Sequence, residues 1–116
     1  MDTQLAKAFL LLKQYALQQK LLTYREFALA MGLNQPPVIQ QASRILEALM
    51  DLNVQAGQPV FSALVVQKKG DIPRPGFFEK LVELGIAKTV LSGEAASRWH
   101  RKEREKISLW VKENAE

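Results

Sequence analysis

The sequence predicts a mostly α-helical protein with a winged helix-turn-helix-like core and a helix on either side of that core. Apolar residues recur at helical spacing near the beginning, in the middle and near the end of the 116-residue chain. A turn with two prolines separates the two middle helices, and a short apolar run with strand character follows them. The length suits one domain over residues 1–116, with the helix-turn-helix and wing at about 22–78 and a helical extension at 79–116.

Composition and charge narrow the class of protein. Hydrophobic residues make up 47% of the chain and charged residues 24%, which is typical of a globular protein. The absence of cysteine excludes disulfides, thiolate metal sites and cysteine nucleophiles, and it favours a reducing, cytoplasmic compartment. No apolar run is long enough to span a membrane, and Asp2 argues against a signal peptide. The formal net charge of +4 favours nucleic acid or another polyanion as partner.

The first two helices are predicted from periodicity and capping. Residues 3–19 carry an apolar stripe at helical spacing, formed by Leu5, Ala8, Phe9, Leu12, Tyr15 and Ala16. Thr23 is a predicted N-cap, and Glu26 three residues later completes a capping-box pattern. The helix that it opens, residues 24–31, is expected to close at Gly32.

The third helix follows a turn at residues 33–37 (LNQPP), where two prolines suit a turn and then a helix start. From residue 38 to about 52 the apolar positions again fall at helical spacing, at Val38, Ile39, Ala42, Ile45, Leu46, Leu49 and Met50. Two helices joined by a short turn, with a long second helix, predict a helix-turn-helix.

The period changes after Pro59. Residues 60–67 have strand character, and residues 68–71 (KKGD) form a predicted turn with a basic tip. Residues 72–76 contain two prolines and therefore cannot form a central strand. A strand and a basic loop after a helix-turn-helix predict a wing. Another helix is expected at 77–84, stopped by Gly85, and Ser92 is expected to cap a final helix at 93–114.

The middle of the chain resembles the DNA-binding domain of alkylguanine-DNA alkyltransferases and alkyltransferase-like proteins over roughly residues 22–78. Residues 22–28 (LTYREFA) stand where that family has a Thr-Tyr-Gly-Glu-like motif. Residues 42–49 (ASRILEAL) stand at its Ala-Arg-Ala-Val-Gly-like recognition helix, and residues 61–66 (FSALVV) at its Pro-Cys-His-Arg-Val active-site strand. The resemblance implies a winged-helix fold that binds DNA.

The departures from the family pattern concern its chemistry. Ser62 stands at the position of the thiolate acceptor and Ala63 at that of the activating histidine, so alkyl transfer is excluded. The tryptophan of the alkyltransferase-like proteins is also missing there. Ser43 stands where the family has the arginine that replaces a flipped base. Arg44 is one residue away, and one residue turns a helical side chain by about 100°.

Three groups of residues are candidates for nucleic-acid contacts. On the third helix and its turn, Asn34, Gln35, Gln40, Gln41, Ser43 and Arg44 are polar, and amide and guanidinium groups can bond base edges. Lys68, Lys69 and Arg74 are candidates for phosphate contacts from the wing. Tyr24 and Arg25 lie at the helix start that contacts the backbone in the resembling family. The alternatives are a solvated helix face, a basic hairpin tip that aids solubility, and a half-buried tyrosine beside a surface arginine.

The final helix carries five basic residues among two acidic ones at 98–106 (RWHRKEREK). The preferred interpretation is a solvated face, since Glu103 and Glu105 can pair with neighbours three or four residues away. Trp99 and Trp110 are interpreted as core or interface anchors. His100, the only histidine, has no acidic cluster at useful spacing, so neither a metal nor another cofactor is expected.

The sequence therefore predicts a non-catalytic, nucleic-acid-binding domain, with DNA more strongly indicated than RNA and with no enzyme activity. The alternative is a protein-interaction or assembly module, such as a homodimer, and a small inhibitor or antitoxin is a third hypothesis. An assembly module would expose an apolar patch on the terminal helices, around Phe9, Tyr15, Trp99 or Trp110.

Overall fold

The computed structural model describes residues 2–114, and helices make up most of that range. Five α-helices, two short strands and one 3₁₀ helix follow in the order α1 (Thr3–Leu17), β1 (Leu22–Thr23), α2 (Tyr24–Ala30), α3 (Val38–Gln55), the 3₁₀ helix (Phe61–Leu64), β2 (Val65–Val66), α4 (Pro75–Glu83) and α5 (Gly93–Asn114). The prediction of a mostly helical fold is confirmed.

The first helices begin and end where the capping chemistry predicts. Thr23 Oγ1 accepts from the Glu26 backbone N at 3.1 Å, and Glu26 Oε1 accepts from the Thr23 backbone N at 2.7 Å. This reciprocal capping box opens α2. The chain leaves the helix through Gly32, whose φ of +78° is a conformation that favours glycine.

Helix α3 is the central element of the fold. It begins at Val38, directly after the prolines, and extends to Gln55, one turn beyond the predicted end. Its buried side chains include Ile45, Leu46 and Leu49, and they pack against α1, α2 and the 3₁₀ helix. Because α3 contacts elements from both halves of the chain, it fixes the positions of the residues on its other, polar side.

The predicted strand at 60–67 is wrong for residues 61–64, which form the 3₁₀ helix. The physical reason is that side chains accept hydrogen bonds from the backbone N–H groups at the start of this segment. The Val60 backbone N donates to Glu103 Oε2 at 2.7 Å, and the Phe61 backbone N donates to Asn53 Oδ1 at 3.0 Å. Side chains from α5 and α3 thus satisfy donors that a strand would direct to a neighbouring strand.

Only Val65 and Val66 of the predicted strand are extended, as β2. They pair in parallel with β1, Leu22 with Val65 and Thr23 with Val66. The chain then turns through residues 68–71, and the Gln67 backbone N donates to the Ile72 carbonyl at 2.8 Å to close the loop. The predicted basic turn is therefore present as a closed loop, and the strand before it pairs with the segment that opens α2.

The two tryptophans of α5 pack against phenylalanine side chains of the core. Trp99 lies against Phe77 with a centroid distance of 5.7 Å, and Trp110 lies against Phe61 at 5.4 Å, both edge to face. Phe9 of α1 completes the second cluster, 4.9 Å from Phe61. Both tryptophans are half-buried and pack against the hydrophobic core. Their interpretation as anchors is confirmed, and the exposed aromatic patch of the alternative hypothesis is not formed by these side chains.

Candidate nucleic-acid interface

The polar side of α3 borders a cavity of about 540 Å³. Gln40, Ser43 and Arg44 line it from α3, and Arg74 and the first turn of α4 line it from a later part of the chain. The cavity therefore lies between two segments that are distant in sequence. Three of the residues proposed on α3 share one concave surface.

Ser62 also lines this cavity. Its side chain is buried, with 1% of the residue exposed, and its Oγ donates to the Leu46 carbonyl at 2.7 Å. A hydroxyl nucleophile needs a base that accepts its proton. The hydrogen of this hydroxyl is already given to a backbone carbonyl, and the arrangement satisfies a polar group in the core.

His100 of α5 contacts the 3₁₀ helix at Ala63, the residue after Ser62. Its ring is buried, with 1% of the residue exposed, and Nε2 donates to the Ala63 carbonyl at 2.7 Å. Burial lowers the pKa of His100 and outweighs that hydrogen bond, which raises it. The ring is thus held as a neutral hydrogen-bond donor. Within residues 2–114, no group of three or more metal-binding side chains comes together.

Tyr24 and Arg74 connect the cavity to a neighbouring one. The Arg74 backbone N donates to the Tyr24 hydroxyl at 3.0 Å, and the Arg74 guanidinium lies 5.8 Å from the centre of the Tyr24 ring. Burial raises the pKa of Tyr24, against the lowering effect of Arg74. Both residues also line a second cavity of about 500 Å³, together with Arg25 and Lys68.

We call the surface formed by these two cavities the α2–α3 face. Seven of the nine predicted site residues line it: Tyr24, Arg25, Gln40, Ser43, Arg44, Lys68 and Arg74. Sequence reasoning missed the part of the lining that α4 contributes, where Pro75 opens the helix and Phe77 borders the cavity. A proline suited to the first helical position was the available signal for this helix start.

The other two predicted residues are placed differently. Gln41 Nε2 donates to the Gln35 carbonyl at 2.6 Å, so this amide ties down the turn before α3. Lys69 is exposed on the loop next to Lys68, where Gly70 and Asp71 both have positive φ. Neither lysine makes an ion pair within 4.0 Å among residues 2–114, where the ion pairs involve Lys80, Arg98 and Lys106.

None of the helices within residues 2–114 is both long and apolar enough to cross a membrane. Comparison of the chain with protein-family models, with curated proteins and with solved structures finds no significant match.

Proposed function

We propose that this chain is a non-catalytic DNA-binding domain of winged-helix type, in which α3 is the recognition helix and residues 68–74 act as the wing. One observation carries the proposal. Seven of the nine residues selected for nucleic-acid contacts line two cavities that share Tyr24 and Arg74. Residues scattered over the three segments 24–25, 40–44 and 68–74 would then contact one ligand.

Charge and chemistry support a nucleic acid on this face. Arg25, Arg44, Lys68 and Arg74 are cationic and exposed. Exposed guanidinium and ammonium groups bind phosphates, while the amide of Gln40 can bond a base edge. In the proposed arrangement Lys68 and Lys69 hold backbone phosphates, and Gln40 and Arg44 approach a groove.

The proposal includes no catalysis because Ser62, which lines the cavity, gives its hydroxyl hydrogen to a backbone carbonyl. Ser62 donates to a backbone carbonyl, and the neighbouring Ala63 contributes only its own carbonyl, which accepts from His100. The Ser62 hydroxyl is therefore engaged in a structural hydrogen bond and is not placed to attack a group bound in the cavity.

The first test is a fluorescence-anisotropy titration with a labelled duplex at low and physiological salt. We expect micromolar or tighter binding at low salt, with an affinity that falls steeply as salt rises because phosphate contacts release counterions. No binding at low salt would refute the proposal and favour a protein-interaction module. Light scattering on the same sample tests whether the chain forms the homodimer of the alternative hypothesis.

The second test uses Lys68→Ala/Lys69→Ala. Loss of two phosphate contacts should weaken binding to all duplex sequences and reduce the salt slope by about two units. The matched control is Lys88→Ala/Lys102→Ala, which removes the same charge at exposed positions that line neither cavity of the face. An equal loss in the control would show that net charge alone is responsible and would contradict the wing assignment.

A further inference from the structure

Apart from the two cavities of the α2–α3 face, a third cavity lined by cationic residues lies between the turn after α1 and one side of α5. It has a volume of about 480 Å³ and shares no lining residue with the α2–α3 face. Four cationic side chains line it, Lys20 from the turn after α1 and Arg101, Arg104 and Lys112 from α5. We call this cavity the α1–α5 groove.

The groove is built by helical spacing. Arg101, Glu105, Ser108 and Lys112 follow one another at intervals of three or four residues, so they lie along one side of α5. Lys20 faces them from a different part of the chain. Glu105 is the single acidic residue that lines the groove, against four cations.

Glu105 balances part of the positive charge of the groove. Among residues 2–114, none of the four cations makes an ion pair within 4.0 Å, although Lys80 and Lys106 elsewhere do. The other acid of this part of α5, Glu103, is buried and turned toward the Val60 backbone N. The charge of the groove is therefore available to a ligand.

Arg104 supplies a second, independent observation. Its Nε atom is buried and has no hydrogen-bond partner among residues 2–114. A buried N–H without an acceptor is unfavourable, and the guanidinium group prefers two parallel bonds to an oxyanion. An anion in the groove would allow Arg104 to reorient and donate to it.

We propose that the α1–α5 groove is a binding site for a phosphate group, held by Lys20, Arg101, Arg104 and Lys112. Phosphate fits this chemistry because it offers several acceptor oxygens and more than one negative charge to several cationic donors. The Ser108 hydroxyl, which also lines the groove, is a further donor. The phosphate belongs either to a free polyphosphate or nucleotide-like anion or to a nucleic-acid strand.

Isothermal titration with tripolyphosphate at constant ionic strength tests the site. We expect saturable binding to the full chain, and Arg101→Ala/Lys112→Ala should weaken it at least about tenfold by removing two charged donors. The control, Arg98→Ala/Lys102→Ala, removes two exposed cations from the same helix outside the groove and should change the affinity less than about twofold. Equal losses in the two variants, or no binding to the unmodified chain, would overturn the proposal.

Arg104→Lys distinguishes the contribution of the guanidinium geometry to binding from the contribution of its positive charge. Because lysine keeps the charge but cannot donate two parallel bonds, we expect about threefold or greater weakening of tripolyphosphate binding. The circular-dichroism spectrum and melting temperature report whether this variant is folded. Unchanged affinity in a folded variant would overturn the role assigned to Arg104.

A labelled duplex identifies the source of the phosphate. Displacement of duplex by tripolyphosphate, with weaker duplex binding by Arg101→Ala/Lys112→Ala, would support nucleic-acid phosphates. Tripolyphosphate binding that leaves duplex affinity unchanged would support a free anion. The titration with tripolyphosphate does not depend on duplex binding, so the proposed function of the α2–α3 face can fail while this site stands, and the reverse also holds.

Discussion

The α2–α3 face and the α1–α5 groove are two cationic surfaces that approach the same 3₁₀ helix, from which Ser62 lines the first and Leu64 lines the second. The face places four cations beside Glu26 and Glu47, whereas the groove places four cations beside one acid. The recognition-helix pattern directs attention to the face. The denser concentration of unpaired positive charge lies in the groove.

This difference shows that the balance of charges along a sequence does not determine the balance of charges on the folded surface. The basic run at 98–106 was interpreted as a solvated face because acidic residues alternate with it. In the folded chain Glu103 turns into the core, while Arg101 and Arg104 turn into the groove. Folding thus separates charges that look balanced in the linear sequence.

Phe61→Ala is expected to have the largest effect on stability. It tests whether one hydrophobic core supports both surfaces. Phe61 is fully buried and packs edge to face against Phe9 and Trp110. Removing the ring should lower the free energy of unfolding by about 3–5 kcal/mol, measured by urea denaturation. Binding to duplex and to tripolyphosphate should weaken together wherever the variant is partly unfolded. Loss at one surface alone in a fully folded sample would contradict a shared core.

Glu103→Ala should have the next largest effect and separates stability from charge. The buried Val60 N–H would lose its acceptor, which should cost about 1–3 kcal/mol in the free energy of unfolding. Glu103→Gln is the control, since its amide oxygen can still accept while the negative charge is removed. If the groove binds phosphate, the glutamine variant should bind tripolyphosphate as tightly as the unmodified chain, or more tightly. Weaker binding by that folded variant would argue against a purely electrostatic role for the groove.

His100→Gln tests the hydrogen bond to Ala63 of the 3₁₀ helix, which both surfaces share. We expect it to have the smallest effect on stability. The pKa of His100 in the folded chain lies below its ordinary value of 6.5 because the ring is buried. As pH falls through 6.5 the unfolded chain therefore binds the proton first, and stability that is present above this pH is lost below it. Titration of this one group can change the free energy of unfolding by at most about 1.4 kcal/mol per pH unit.

Denaturation of the unmodified chain and of His100→Gln between pH 7 and pH 5 measures this contribution. Glutamine can still donate to the Ala63 carbonyl, but it does not titrate. The difference in stability between the two proteins should shrink or reverse as the pH falls. A difference that is constant over this range would show that His100 does not change its protonation on unfolding.

Local patterns predicted much of the fold. The bounds of α5, the capping box at Thr23 and the start of α3 after the prolines all match, because neighbouring residues determine them. The 3₁₀ helix could not be predicted in this way, since its donors are satisfied by Asn53 and Glu103 from other helices.

The candidate sites show the same division. The candidate nucleic-acid contacts were selected from a motif-like order of residues, and seven of the nine line the two cavities of the α2–α3 face. The α1–α5 groove combines Lys20 with residues near the other end of the chain. No window of sequence contains both walls, so neither periodicity nor local charge could indicate it.

The side-chain acceptors of the 3₁₀ helix also bear on how the protein is made. Synthesis proceeds from the amino terminus, so residues 60–64 emerge before α5, which supplies the acceptor for the Val60 N–H and the donor for the Ala63 carbonyl. Until α5 emerges, these groups of the nascent chain are left to water, and Phe61 lacks its contact with Trp110. Completion of the central segment therefore waits for the last helix, and a ribosome stalled before α5 would hold a chain with an open core.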